Sequence, residues 1–405
     1  MEGLRVVGAI ALTVASTVAL TVVFSLSVDA AAGLFRAHAE LAFAFPLAGI
    51  VTWAAYRVLR VPFGWATKHI VGNEGHSEPV SARVVPAIFV GTCLTICVGG
   101  SVGKEAAALQ MGGGMAATLR RLFKLGPERE RLLCACALSC ALSVLLGTPV
   151  ASALFAVEVL QYRSHKVCDY LAIAASSAVA RAVSWGMSLD SLAIDGSVPM
   201  ASPELLGETL ALTAACSLLA ACFCLALASL RSLSGRRGVQ VPVLVAGSVA
   251  AAVFVLAFGG DAYSGTGMAQ IAPALSGNVV DPFFIGKFLF TLVLLGVGFK
   301  GGEIMPTLCI GATFGCFAGS ACGVDPAFTA AIALVAYFTA CTNCPLAAVA
   351  LACEAFSLFG FGWYLLASAL AYALTFRVGF YANGDFYPEL LKDAVAALLS
   401  RGGRR

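Results

Sequence analysis

The sequence predicts an all-α polytopic membrane protein, and three observations carry that prediction. Only 12% of the 405 residues are charged and 60% are hydrophobic, whereas a soluble domain carries roughly 25% charged residues. Mean hydropathy is +0.91. Apolar runs close to the ~20 residues that span a bilayer as helix recur along the whole chain. Alternation of apolar and polar residues is not a general feature, which argues against a β-barrel.

Taken in order, the clear runs are Val6–Val28, Val84–Val102, Leu205–Leu230, Val239–Phe258 and Phe356–Phe376. Glycine or proline interrupts others, such as Leu41–Leu59 and Leu132–Leu160. The first run is longer than the apolar part of a cleaved leader, so it is expected to remain as a helix. Basic residues gather at Arg120, Arg121, Lys124, Arg129 and Arg131, at Arg231, Arg236 and Arg237, and at Arg401, Arg404 and Arg405. With a net charge of only +3, they read as cytoplasmic loops under the positive-inside bias, not as a nucleic-acid surface. The 15 cysteines lie almost entirely within apolar runs, as small buried hydrophobes do. Cys341-Thr-Asn-Cys344 precedes Pro345 in an apolar context without a second such pair. Neither a metal nor another cofactor is therefore expected. No GxxxxGK[ST] loop occurs and only a short tail follows Tyr387. Active transport would draw on an ion gradient.

The chain repeats itself. Gly147-Thr-Pro-Val-Ala-Ser-Ala-Leu-Phe-Ala-Val-Glu158 resembles Thr342-Asn-Cys-Pro-Leu-Ala-Ala-Val-Ala-Leu-Ala-Cys-Glu354, with Pro149 on Pro345 and Glu158 on Glu354, 196 residues apart. Gly100, Gly103 and Glu105 match Gly298, Gly301 and Glu303, 198 apart. The expected division is a first transmembrane repeat over 1–200, a second over 201–392 and a short basic tail over 393–405. The boundary falls near 198–204, where Pro199 and Pro203 sit in a polar stretch. Repeated halves characterise secondary transporters and several channels. An odd number of crossings in each half would invert them, and the sequence leaves that parity open.

The chemistry concentrates in Gly99-Gly-Ser-Val-Gly-Lys-Glu-Ala-Ala-Ala-Leu-Gln-Met-Gly-Gly113 and Gly298-Phe-Lys-Gly-Gly-Glu-Ile-Met-Pro-Thr-Leu-Cys-Ile-Gly-Ala312. Each breaks an apolar run with glycines and places a carboxylate in the first turn of the next helix. A broken helix at membrane depth presents free N–H groups and a positive dipole end. Irregular backbone is tolerated there only where it lines a cavity. In inverted halves, two such ends would approach one centre and bind an anion without a fixed cation. A carboxylate there, such as Glu105, can occupy the site while ionised and leave it when protonated, which couples anion to proton. The plainer alternative makes Glu105 and Glu303 first-turn caps, but intramembrane carboxylates are costly and usually functional. For Glu158 and Glu354 a packed, hydrogen-bonded role near helix ends is the leading reading. Lys104 and Lys300 are expected to neutralise local charge or to snorkel.

At these residues the chain resembles the CLC family of chloride channels and anion/proton exchangers. Gly103-Lys-Glu-Ala-Ala resembles its G-[KR]-E-G-P motif and Gly302-Glu-Ile-Met-Pro306 its G-x-F-x-P motif, and the likeness runs over about residues 40–390. Several details resemble the fluoride/proton antiporter branch. Phe299-Lys-Gly-Gly-Glu303 carries an acidic residue inside the second motif, and Gly72-Asn73 falls where the chloride branch has Gly-Ser. Val159 falls where proton-coupled chloride exchangers carry an inner glutamate, and the short tail resembles that branch, which lacks the cytoplasmic regulatory domains of eukaryotic relatives. The resemblance implies a CLC-type fold of about eighteen broken and tilted helices in two inverted repeats. It also implies a homodimer in the plasma (inner) membrane and export of fluoride against protons, with a chloride-selective exchanger or passive anion channel as the alternative. Glu105 would be the gating glutamate and Glu303 a second acidic residue. The amides of Glu303 and Ile304 would face the anion, with Gly103 and Met305 also at the binding site. Tyr381, with Tyr387 as rival, would close the inner side, and Asn73 would hold the central-gate position. Two departures stand out: Ala106-Ala107 replaces the usual Gly-Pro or Gly-Thr, and Met305 replaces a small polar side chain. An embedded enzyme is not expected, since no metal cluster, nucleophile–base pair or nucleotide loop is visible. An organic-anion carrier would need a paired Arg, and only Arg181 lies deep in a run.

Overall fold

Helix is the only regular element among the residues described by the computed structural model: 2–71, 81–187, 189, 204–236, 238–258, 262–279, 281–356, 358–375, 378–381, 383–390 and 392. Early in the chain come α1 (Glu2–Ala37), α2 (Phe45–Val58), α3 (Lys68–Val71), α4 (Val84–Cys97), α5 (Glu105–Leu122), α6 (Pro127–Leu146), α7 (Pro149–Val159) and α8 (Val167–Gly186). Then follow α9 (Glu204–Ser234), α10 (Gln240–Ala257), α11 (Met268–Leu275), α12 (Phe283–Val297), α13 (Ile304–Cys322), α14 (Pro326–Thr342), α15 (Pro345–Ala355) and α16 (Phe361–Thr375). Short 3-10 turns lie at Ala39–Ala44 and Leu358–Gly360.

The sequence breaks its own hydrophobic runs. Leu132–Leu160 divides into α6 and α7 because Gly147 turns left-handed at φ 74° and Pro149 can only begin a helix. The matching turn before α15 uses Asn343 at φ 55°, followed by Pro345. Val84–Val102 reads as one crossing, yet α4 stops at Cys97 after 14 residues. Gly99, at φ 89°, redirects the chain into the irregular stretch before α5. Six helices among the described residues are long and apolar enough to cross a membrane, including Gly3–Ala37, Leu205–Ser234 and Ile304–Cys322. Others are much shorter: α7 and α15 have 11 residues each, about 16 Å of rise against a core of ~30 Å.

Neighbours repeat between the two series. α6 packs on α5, α8 and α1, while α14 packs on α13, α16 and α9. α2 touches α10 and α7 touches α15. The last contact reveals direction. Glu158, in the last turn of α7, accepts the Leu346 and Ala347 amides at 2.9 and 2.8 Å. Glu354, in the last turn of α15, accepts those of Val150 and Ala151 at 3.0 and 2.8 Å. Each helix begins where the other ends, so the pair is antiparallel and the repeats are inverted. Residues 190–203, which hold the expected boundary, and the tail 393–405 lie outside the described residues.

Polarity is turned inside out. Lys104, Glu105, Glu158, Lys287, Lys300 and Glu303 are buried, while Leu218, Leu225, Val249 and Val253 face outward. That is a lipid-facing surface around a polar interior. Deepest inside, α13 lies so close to α14 that a Cβ on Gly315 would stand 2.3 Å from the Thr329 carbonyl oxygen. Small residues permit such approach between membrane helices.

Candidate functional site

Two chain breaks meet at the centre. The Gly103 and Gly302 amides each donate to the other's carbonyl at 2.6 Å, an isolated antiparallel bridge. Directly after this bridge come Lys104, the N-cap of α5, and Glu303, the N-cap of α13. The two helices therefore leave one point head to head. The unpaired amides of their first turns, and their positive ends, converge there.

Glu105 opens α5 and is fully buried. Neither carboxyl oxygen has a hydrogen-bond partner among the described residues. The backbone amides bearing on it are its own, that of Lys104 and, from the other helix, that of Met305. One oxygen stands 2.6 Å from where a Cβ on Gly103 would be. The carboxyl group thus lies against the bridge, among backbone amides. Gly103, Ile304 and Met305 all stand at this junction, and the Met305 backbone amide bears on Glu105. The Ile304 side chain joins Phe155 and Phe338 in lining an apolar pocket.

Glu303 engages a different set of partners. Tyr381 donates to its Oε1 at 3.1 Å, and Arg231 Nη2 lies 3.5 Å from its Oε2. Tyr381 is buried, its ring edge-on to Phe155 at 6.3 Å between centroids. Tyr387 donates instead to Glu158, so the two tyrosines serve separate carboxylates. Glu158 and Glu354 act as caps across the repeat, in line with the packed reading of these residues. Asn73 lies outside the described residues.

The family model for voltage gated chloride channel proteins matches residues 47–375. The chain belongs to the CLC family. A "Chloride/fluoride channel protein" of Pseudomonas syringae pv. tomato is 32% identical over 370 residues, covering 87% of this chain and 79% of that one. An "H(+)/Cl(-) exchange transporter" of Vibrio parahaemolyticus is 26% identical, covering 76% and 70%. Among solved structures, a CLC-type fluoride/proton antiporter superposes with TM-score 0.85 at 22% identity, covering 95% of this chain and 98% of that one. A slow cyanobacterial Cl-/H+ antiporter follows at 0.77 and 19%, covering 97% and 98%. At such identities these two likenesses establish the CLC fold alone.

The structure of this CLC protein also gives Lys104 and Arg231 their partners. Lys104 donates to Ser25 at 2.8 Å and to Asp29 at 3.0 Å. It neutralises a local charge, as expected. Asp29 sits late in α1, and Arg231 occupies the last turn of α9. On each side, then, an N-cap residue pairs with a residue near the end of a long helix, but the signs are reversed. Lys104 and Glu303 are 199 residues apart, and Asp29 and Arg231 are 202 apart. The repeat offset was thus the one signal that could have found Arg231, which otherwise reads as loop charge. Among the described residues Lys300 pairs with no carboxylate, and it is buried rather than snorkelling. It donates to the Phe63 carbonyl and rests over the Tyr56 and Phe63 rings, 4.4 and 4.1 Å from their centroids.

Proposed function

We propose that this CLC protein is a fluoride/proton antiporter that exports fluoride at the expense of the proton gradient. The observation that carries the reading is the buried carboxyl group of Glu105, without a hydrogen-bond partner among the described residues, between two helix N-termini. Ionised, Glu105 competes with the anion for the same amides. Protonated, it loses the charge that holds it and yields the place. One anion and one proton then exchange through a single side chain. Gly103 and the amides of Ile304 and Met305 line the anion's place, Tyr381 closes its inner side, and Asn73 takes the central-gate position.

Fluoride is small, strongly hydrated and basic for a halide. Its site must replace hydration with close N–H donors, or accept it together with a proton. Glu303, a second carboxylate inside the α13 motif, suits the latter and tunes fluoride handling. The Pseudomonas relative, whose name joins chloride and fluoride, supports this choice. The basic turn between α5 and α6 and the Arg231 end of α9 supports a cytoplasmic assignment for that face, in the plasma membrane. A homodimer with one pore per chain follows from family resemblance.

The second reading keeps the fold and moves chloride, by exchange or as a channel. The Vibrio relative named for H(+)/Cl(-) exchange favours it. Liposomes containing the purified protein separate the two, with fluoride and chloride electrodes outside and a pH dye inside. Fluoride efflux with proton uptake and little chloride movement is expected. Chloride efflux at a comparable rate, or efflux without proton flux, overturns the choice. Glu105→Gln should abolish proton coupling, and unchanged coupled transport in that variant would remove Glu105 from its role.

A further inference from the structure

We propose that Lys287 is a positioning residue for the exchange at Glu105: from α12 it ties a loop to the break that carries Glu105, and so keeps the outward side of that break closed to any anion that has not displaced the carboxyl group. The proposal rests on the antiporter reading. Lys287 stands in the second turn of α12 and is fully buried. No carboxylate pairs with it among the described residues. Its ammonium donates instead to the Tyr263 carbonyl at 3.0 Å and to the Gly265 carbonyl at 2.8 Å. A cation inside a membrane protein is costly and usually functional, and hydrogen bonds from a charged donor are stronger than neutral ones. The loop between α10 and α11 wraps this lysine closely. A Cβ on Gly267, the N-cap of α11, would stand 2.9 Å from Lys287 Cε. Tyr263 also stacks on Phe283 of α12, with 4.7 Å between ring centroids.

Two ties run from here to the break before α5. The carbonyls on either side of the Ser264–Gly265 peptide accept from Lys287, and that peptide's own N–H donates to the Gly100 carbonyl at 2.9 Å. One turn further along α12, Thr291 meets Ser101, oxygen to oxygen at 2.8 Å, with both residues fully buried. Residues four apart share a helix face, so one face of α12 holds two consecutive residues of the break. Gly103 of the central bridge and Glu105 follow directly.

The loop faces outward. Ala262, Gly265 and Thr266 line a pocket together with Asp29 and Lys104. The start of α1 lies at the basic turn after α5, where a Cβ on Gly8 would stand 3.4 Å from the Phe123 ring. Asp29 comes 21 residues later on the same helix, about 30 Å along its axis. The pocket therefore opens on the face opposite the basic turn. An exchange mechanism needs a stiff wall at this point. If the break widens, an anion passes without displacing the carboxyl group and no proton moves with it. Lys287 supplies the stiffness by fixing both sides of the peptide that grips Gly100.

The test is liposome efflux from Lys287→Met, which keeps much of the side chain's volume but removes its donors, beside Lys287→Arg. Fluoride efflux from Lys287→Met is expected to persist while protons moved per fluoride fall about threefold, the scale of one weakened hydrogen bond. Lys287→Arg should restore most of the ratio. Thr291→Val and Ser101→Ala, which leave the lysine in place, should lower the ratio in the same direction, and they carry the test if Lys287→Met does not fold. A wild-type ratio in all of the folded variants overturns the proposal. So does a Lys287→Met protein whose efflux falls with its ratio unaltered, which would make Lys287 a packing residue only. Deuterium exchange in detergent, read on the peptide that contains Gly265, judges the tie independently of transport. Faster exchange is expected in Lys287→Met than in the wild type or Lys287→Arg, and equal exchange in all three would sink the tie. If the wild type itself moves no protons with fluoride, the antiporter reading fails instead.

Discussion

At Gly103 a hydrogen stands where any other residue would carry carbon. A Cβ there would lie 2.6 Å from a Glu105 oxygen and 3.1 Å from both the Gly302 carbonyl and Pro306 Cδ. Gly103→Ala must therefore push the carboxylate out of its place or open the bridge. A cost of about 1–3 kcal/mol is expected from overpacking of this kind. Transport should fall at least tenfold while the protein stays monodisperse in detergent, measured by electrode efflux beside size-exclusion chromatography. Wild-type flux from that variant would mean that the gap between the two helix ends is not used. The two carboxylates of this region were legible because each follows a glycine-rich break, but the structure pairs Gly103 with Gly302 and, as N-caps, Lys104 with Glu303, 199 apart rather than 198, so Glu105 and Glu303 are not equivalent positions. Arg231 was not legible, since a basic residue at a helix end has the same local pattern whether it faces water or a buried glutamate 72 residues away.

Among elements, the short helices α7 and α15 show how an 11-residue segment holds its place. Each is too short to cross the membrane and begins with orphan amides, two of which the other helix's glutamate accepts. The two caps differ in surroundings. Glu158 is 1% exposed and also takes the Tyr387 hydroxyl, whereas Val150, beside Glu354, is open to the exterior. Removing an acceptor from buried donors costs about 1–3 kcal/mol. Glu158→Ala is thus expected to cost about 3 kcal/mol and Glu354→Ala about 1 kcal/mol, read as thermal unfolding in detergent. Equal losses would argue that water reaches both sites alike. The repeat was visible in the sequence, and the placing of both glutamates near helix ends was too. That each caps the other repeat's helix was not, because the partner amides belong to backbone, which every sequence shares.

Across the whole molecule, the halves complete one another. The central bridge needs Gly103 from one half and Gly302 from the other, and α7 and α15 exchange caps. A proposed division at 201 follows the repeat, and it makes a prediction. Fragments 1–200 and 201–392 produced together should assemble in membranes and restore proton-linked fluoride efflux. Each alone should be degraded, since it exposes unpaired amides and buried carboxylates to lipid. Stable accumulation of either fragment alone would mean that a repeat is self-sufficient. Outward-facing leucines and valines with charges held inside give the pair a single environment in which this arrangement is stable.

The sequence by itself determined that the chain crosses membranes as helix, that it contains a repeat, and that two glycine-rich breaks carry acids. These properties are local: hydropathy over a span, glycine at a turn, proline at a helix start. It also carried enough motif to reveal the family. Only the tertiary structure decided that the repeats run in opposite directions, that their breaks pair at Gly103 and Gly302, and which charge faces which. Inversion depends on the parity of crossings, and short helices such as α7, α11 and α15 do not announce in hydropathy whether they cross. Charge pairing depends on distances between residues far apart in the chain, so Lys104 meeting Asp29 and Glu303 meeting Arg231 become facts only when the two long helices α1 and α9 close around the centre.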